Sequence, residues 1–150
     1  MSTNIQTKIS IEIELLEKLL IDYGPLIDLI KIKRPDVIET SAVGVLLHSF
    51  YNCVENILKI IMKTYQESYT DSTNWHIEIL KRSCIKNDKR NIIITPELQI
   101  KLVEYMKFRH AFRHSYGFQL KWERMEHLAN SLENICREFI QNISDFQQKL

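Results

Sequence analysis

Hydrophobic and polar positions alternate along most of this chain with the period of an α-helix. Near the N-terminus the apolar residues recur at steps of three and four, at Ile9, Ile13, Leu16, Leu20 and Tyr23. Gly24-Pro25 should interrupt this helix before the pattern resumes from Leu26 to Ile32. A longer apolar face, from Val43 to Tyr65, follows Pro35, which suits the first turn of a helix. We expect this longer helix to form the centre of the core.

The middle of the chain is predicted to contain a loop and a short helix. Polar residues from Tyr69 to Asn74 indicate the loop. Trp75 to Ile85 should be helical, with Ile77 and Leu80 facing inward. Within that helix, Trp75 is expected to pack and its neighbour His76 to lie at the surface.

The last two predicted helices occupy the C-terminal third. Thr95 supplies a capping hydroxyl, and Pro96 suits the first helical position. That helix should continue to about Arg113 and stop before Gly117, so that Tyr116 lies in the turn. A final amphipathic helix is predicted from about Lys121 to Phe146.

Composition agrees with a helical fold of modest size. The chain has 150 residues, 45% of them hydrophobic, and only three glycines and three prolines. These numbers favour an all-α fold, an up-and-down bundle of four or five helices that forms a single domain over residues 1–150. No run of about 18 uncharged apolar residues and no signal peptide is evident, so a cytoplasmic location is expected and a membrane partner is not. Three cysteines without a C-x-x-C pair, Cys53, Cys84 and Cys136, are interpreted as buried thiols.

Positive charge is concentrated in one segment. The formal net charge of the chain is only +1, but eleven Lys or Arg and four acids between Lys81 and Arg124 give that segment +7. Clustered cations are what a polyanion site requires. The alternative is a pair of solvated basic helix faces.

The most informative residues are Arg109, His114 and Tyr116, which form the pattern R-x4-H-x-Y. An arginine can neutralise charge at phosphorus, a histidine can transfer a proton, and a phenol can donate or accept a hydrogen bond. RNA carries its own 2′-hydroxyl nucleophile, so these groups could cleave a phosphodiester without a metal. On an ideal helix, however, His114 points about 140° away from Arg109. Both could meet one phosphate only if the helix unwinds near Arg113 or if a second copy of the chain supplies one of them.

Several other interpretations of these residues stay open. His110 and His114, four residues apart, could bind zinc, although no third ligand is indicated. Arg109 and Arg113 could be surface cations near a helix C-terminus. His48 and Glu55, on the long helix, are candidates for lining a cleft, and His48 could equally be a core histidine.

The motif also resembles a known signature. Arg109-x4-His114-x-Tyr116, late in the penultimate helix of an all-helical domain, is similar to the motif of the HEPN superfamily. It is most similar to that of the HepT-type toxins of two-gene HepT–MntA toxin–antitoxin modules. The resemblance implies a HEPN-like fold over nearly the whole chain. It also implies a homodimer whose two motifs face each other across a cleft and act, without a cofactor, as a metal-independent endoribonuclease on RNA such as tRNA.

The resemblance also implies a role for each residue of the motif. Arg109 would stabilise the scissile phosphate, and His114 would be the general base or acid. His110 stands where the superfamily often has Asn, and it would orient His114 or share its proton transfer. Arg113 would add a cation for RNA. Tyr116 would accept AMP from an MntA-like minimal nucleotidyltransferase, the antitoxin.

Two alternatives to a ribonuclease remain. The chain could be a non-enzymatic helical module that binds a nucleotidyltransferase and presents its substrate. It could also accept AMP on Tyr116 without cutting RNA.

Overall fold

The structure is a computed structural model that describes residues 3–69 and 74–149. Within these ranges it contains α1 (Thr3–Asp22), α2 (Gly24–Leu29), α3 (Val37–Thr64), α4 (Trp75–Ser83), α5 (Pro96–Arg113), a 3-10 turn (Gly117–Gln119) and α6 (Trp122–Gln148). The described residues form no strand, and the predicted all-helical bundle is confirmed. There are six helices rather than four or five, because α2 is separated from α1 at Tyr23, immediately before Gly24-Pro25. Residues 70–73 of the predicted loop lie outside the described residues.

The central helix is α3, which contacts α1, α4, α5 and α6. Its start differs from the prediction in one respect. Asp36 caps the helix, because its Oδ1 accepts from the Glu39 amide at 2.8 Å while the Asp36 amide donates to Glu39 Oε1 at 2.9 Å. This reciprocal capping box places Pro35 just before the cap rather than in the first turn.

By length and composition, α3 is the only described helix that could cross a membrane. Most of its apolar side chains are instead buried against its four neighbouring helices, including those of Leu46, Phe50 and Leu58. A central core helix has the same length and composition as a membrane span, so these properties do not distinguish the two.

The helix that carries the motif begins and ends where the sequence predicted. Thr95 Oγ1 accepts from the Leu98 amide at 3.2 Å, and Pro96 is the first residue of α5. After Arg113 the backbone tightens, since the amides of His114 and Ser115 donate to carbonyls three residues earlier, each at 3.2 Å. The regular helix therefore ends one residue before His114.

The segment that follows α5 lies close to α3. Gly44 makes this possible, since a Cβ at that position would lie 2.7 Å from Leu120 Cδ1 and 2.8 Å from Phe112 Cε1. Ser41 Oγ also donates to the Gly117 carbonyl at 3.2 Å. These contacts fix the position of the motif's C-terminal part relative to α3.

The short helix α4 contacts both α3 and α5. Its inward residues are Ile79, Leu80 and Ser83, whereas Ile77 is 37% exposed. The prediction was right for Leu80 and wrong for Ile77, because the buried face of α4 is rotated toward Ile79. His76 lies three residues before Ile79 and so on the same face of α4, which places its side chain against α3 and α5.

Candidate active site

The side chain of Arg109 points into the bundle, not into solvent. Arg109 continues the buried face of α5 formed by Leu102 and Tyr105, and only 7% of its surface is exposed. Its Nη1 donates to Glu55 Oε1 at 3.0 Å and to Asn52 Oδ1 at 2.8 Å, and both acceptors lie on α3. A guanidinium at a core position requires a carboxylate partner, and Glu55, 2% exposed, provides it.

His76 joins this pair from a third helix. Its Nδ1 lies 2.7 Å from Glu55 Oε2 and 2.9 Å from Arg109 Nη2. The Trp75 ring stacks on the imidazole with the ring centroids 3.5 Å apart. Three helices therefore meet at one cluster, Arg109, Glu55 and His76, which we call the Arg109 cluster.

An aromatic ring and a chain of hydrogen bonds border the Arg109 cluster on α3. The guanidinium carbon lies 5.3 Å from the ring centroid of Tyr51, within the range of a cation–π contact. Burial raises the pKa of the Tyr51 phenol, so this hydroxyl stays protonated. Asn52, which accepts from Arg109, uses its Nδ2 to donate to His48 Nε2 at 3.1 Å.

His48 is held neutral by its surroundings. Accepting at Nε2 requires that nitrogen to be unprotonated, and the ring packs on Phe112 at a centroid distance of 5.2 Å. Burial, followed by the charges of Arg109 and Arg113, lowers the pKa of His48 below its ordinary value of 6.5. His48 therefore contributes a neutral imidazole and no further positive charge.

A cleft of about 340 Å³ opens beside the Arg109 cluster, between α4 and α5. Its lining residues are Asn74, His76, Ile77, Met106, Lys107, Arg109, His110 and Arg113. Three of them are cations and two are imidazoles, and Asn74, Ile77 and Met106 complete the wall. This combination suits a ligand that carries phosphate and presents hydroxyl groups for proton transfer.

Among the described residues, some cations of the basic segment form ion pairs with carboxylates, but two of those that line the cleft do not. Four of its eleven cations lie within 4.0 Å of a carboxylate: Arg82, Arg90, Lys101 and Arg109. Over residues 3–69 and 74–149, Lys107 and Arg113 have no such partner. The basic segment is thus less positive than its sequence suggests, but two exposed cations remain beside Arg109.

The structure separates the predicted site residues into two groups. Arg109, His110 and Arg113 line the cleft, and His114 lies beside it with its ring centroid 5.0 Å from that of His110. Tyr116 is 69% exposed, stacks on Phe118 at 5.8 Å and does not line the cleft. Arg109 faces inward and His114 outward, as their spacing on the helix indicates.

Glu55 was expected as a cleft residue, but neither Glu55 nor His76 was predicted to be a partner of Arg109. His76 was expected at the surface, but its side chain is only 28% exposed and is hydrogen-bonded to Glu55. Glu55 offered a signal, since it is an acid between Val54 and Ile57 on the apolar face of α3. An acid in that position calls for a buried cation, although the sequence does not say which one.

An exposed apolar patch lies near the motif. It consists of Tyr116 and Phe118, which are 69% and 70% exposed, and of Ile38 and Val45 on α3, which are 80% and 42% exposed. The hydrogen bond from Ser41, between Ile38 and Val45, to Gly117 joins the two parts. Exposed apolar side chains grouped in this way mark a contact surface.

The all-helical bundle formed by the described residues has the architecture of a HEPN-type domain. A family model described as HepT-like protein matches residues 42–150, and the chain belongs to the HepT-like family of the HEPN superfamily. The match begins within α3 and includes every residue of the cleft lining. Comparisons with curated proteins and with solved structures gave no match. HepT-like proteins are a family of HEPN-type toxins and ribonucleases, typically paired with a partner.

The lowered pKa of His48 predicts a loss of stability in mild acid. The unfolded chain binds a proton at His48 more readily than the folded chain, so the free energy of unfolding should fall as the pH drops through 6.5 toward the folded pKa. Urea unfolding of the wild type between about pH 7.5 and 5.5 measures this loss, and His48→Gln should reduce it. His127→Gln, at an exposed histidine of α6, is the matched control and should leave the loss of stability as large as in the wild type. Equal pH dependence in His48→Gln and the wild type would show that His48 is not held neutral.

Proposed function

We propose that this chain is a metal-independent endoribonuclease, the toxin of a two-gene module, which cuts RNA such as tRNA in the cytoplasm. The observation that carries the proposal is that the motif helix of a HepT-like chain lines a cleft with three cations and two imidazoles. RNA supplies its own nucleophile, so the protein needs only to bind the phosphate and move two protons.

Arg109 is the proposed ligand of the scissile phosphate. A guanidinium has five N–H donors, and three contacts occupy Arg109, two at Nη1 and one at Nη2. Its Nε is buried without a partner in the part of the chain that the structure describes. Nη2, whose one contact among the described residues is with His76, therefore retains a donor for a phosphate oxygen while the position of Arg109 stays fixed by Glu55. Lys107 and Arg113 add charge on the same wall.

His114 is the proposed proton-transfer group of the motif, with His110 next to it. His114 is exposed at the end of α5, and it faces away from the guanidinium of its own Arg109. A second copy of the chain, related by a two-fold axis near the end of α5, would bring its His114 to this cleft. Each cleft would then combine Arg109 of one protomer with His114 of the other.

The exposed apolar patch supports such a homodimer. Phe118, Tyr116, Ile38 and Val45 would bury their side chains against the equivalent surface of the second copy, at about 25 cal/mol for each Å² of apolar area. A strictly monomeric mass in sedimentation equilibrium at micromolar concentration would contradict the dimer.

Tyr116 is the proposed site of control by an MntA-like nucleotidyltransferase. Its ring is largely exposed, so its phenol oxygen is open to attack on the α-phosphorus of ATP, with release of pyrophosphate. The attached AMP would bring negative charge and bulk beside the cations of α5. It would compete there with RNA phosphate.

A second candidate function is favoured by one observation, the burial of Arg109 against Glu55. An arginine that anchors α5 to α3 has a sufficient role in folding alone. The chain would then be a non-enzymatic helical subunit that binds a nucleotidyltransferase. RNA cleavage by the chain alone distinguishes the two functions.

The wild-type protein should cut RNA in excess chelator, and His114→Ala should cut about 100- to 10,000-fold more slowly. His114 is exposed, so the variant should keep its fold, and the loss would report chemistry. The measurement is the initial rate on purified tRNA.

Arg109→Lys should also lose most activity, because an ammonium cannot hold Glu55 and a phosphate in the fork geometry of a guanidinium.

His127→Ala on α6 is the control for His114→Ala, because it removes an exposed histidine distant from α5 in sequence. It should cut at the wild-type rate. Undiminished cutting by both His114→Ala and Arg109→Lys would refute the assignment of the motif.

Co-expression with an MntA-like nucleotidyltransferase should add the mass of one or more AMP units to the wild-type chain. Intact mass spectrometry measures the increments, and Tyr116→Phe should show none. Tyr23→Phe, at a half-buried tyrosine between α1 and α2, is the control and should be modified like the wild type. AMP on the Tyr116→Phe variant would place the modification elsewhere.

A further inference from the structure

His76 lies outside the R-x4-H-x-Y motif, yet it belongs to the cleft and contacts two buried charged groups. We propose that His76 is the general base of the ribonuclease reaction and that Glu55 orients it. The inference rests on the proposed function and adds to it a residue that the motif does not contain.

The imidazole of His76 has a fixed orientation. Nδ1 faces Glu55 Oε2 at 2.7 Å, which restricts rotation of the ring within its plane. The Trp75 ring packs against the imidazole, which restricts tilting of the ring out of that plane. The opposite edge of the imidazole carries Nε2. His76 lines the cleft, and its Nε2 makes no hydrogen bond within residues 3–69 and 74–149. A fixed imidazole with Nε2 free beside a phosphate ligand is suitably placed to accept a proton.

Glu55 and Arg109 impose conflicting requirements on Nδ1 of His76. Ionised Glu55 can only accept a hydrogen bond there, whereas Arg109 Nη2, 2.9 Å from the same nitrogen, can only donate. One ring nitrogen cannot satisfy both groups. When a phosphate oxygen takes the Nη2 donor, Nδ1 is left to donate to Glu55 alone. That hydrogen bond fixes the tautomer in which Nε2 carries a lone pair.

Phosphate binding and activation of the base are thus coupled through the Arg109 cluster. Nε2 of His76 removes the proton of the 2′-hydroxyl, and the 2′-oxygen forms a bond to phosphorus. The bond from phosphorus to the 5′-oxygen breaks, and that oxygen takes a proton from the acid of the motif, His114. The products are a 2′,3′-cyclic phosphate and a 5′-hydroxyl, and the carboxylate of Glu55 stabilises the imidazolium formed at His76.

The test uses a substitution at His76 that keeps the hydrogen bond to Glu55 but removes the nitrogen that accepts the proton. In His76→Asn, the side-chain amide can take the place of Nδ1 and still donate to Glu55, but no group can accept the proton. Single-turnover cleavage should fall about 100-fold or more. The Kd for RNA with 2′-O-methyl groups, which cannot be cut, should change less than about threefold. His127→Asn is the matched control on α6 and should cleave at the wild-type rate.

A cleavage rate of His76→Asn within about threefold of the wild type would overturn the inference. Thermal melting establishes that each variant is folded. If asparagine unfolds the protein, His76→Gln provides the same measurement. Restoration of cleavage in His76→Gly by added imidazole, with no such effect in His127→Gly, would further support the base assignment.

A substrate with a 5′-sulfur leaving group distinguishes base from acid. A thiolate leaves without protonation, so His114→Ala should cleave this substrate at a restored rate. His76→Asn should still cleave it slowly. Restoration of His76→Asn would overturn the assignment of His76 as the base. A wild-type protein that cuts no RNA would overturn the proposed function and this inference together. An active wild type and a His76→Asn variant that cleaves RNA at the same rate would overturn only the inference.

Discussion

The buried ion pair between Arg109 and Glu55 is the interaction on which the rest of the site depends. It joins α5 to α3 and, through His76, also to α4. Neither charge would be tolerated in the interior alone, since an unpaired buried charge costs about 3–5 kcal/mol. The pair therefore holds the motif helix in place and sets the direction in which the guanidinium points. A phosphate must reach Arg109 through the donors that Glu55 and Asn52 leave free.

The same pair determines the electrostatics of the cleft. Glu55 offsets the charge of Arg109, so the field that would attract the phosphates of the proposed RNA substrate comes from the exposed Lys107 and Arg113. His48 adds nothing to this field, because burial and the two arginines hold it neutral. A phosphate would thus be drawn in by outer cations and then bound by an arginine whose position is already fixed. Such preorganisation reduces the entropy lost when the substrate binds.

Much of the fold could be predicted from local signals. Helical periodicity located α3 and α6, and Thr95-Pro96 marked the start of α5, because caps and apolar faces depend on residues near each other in the chain. The start of α3 was misplaced because the Asp36–Glu39 capping box outweighs Pro35 as a signal. In the site, Arg109, His110 and Arg113 lie near each other on α5, so their common place at the cleft could be predicted from their spacing. Glu55 and His76 lie 21 residues apart on different helices, and no spacing rule connects them to Arg109.

The most direct test of the account is a crystal structure of the chain bound to an RNA whose 2′-hydroxyl is absent at the cleavage site. The account predicts the scissile phosphate at about 2.7–3.2 Å from Arg109 Nη2. It also predicts His76 Nε2 on the ribose side of that phosphate and Nδ1 still donating to Glu55. A phosphate bound elsewhere on the surface, with Arg109 in unchanged contact with His76, would contradict it.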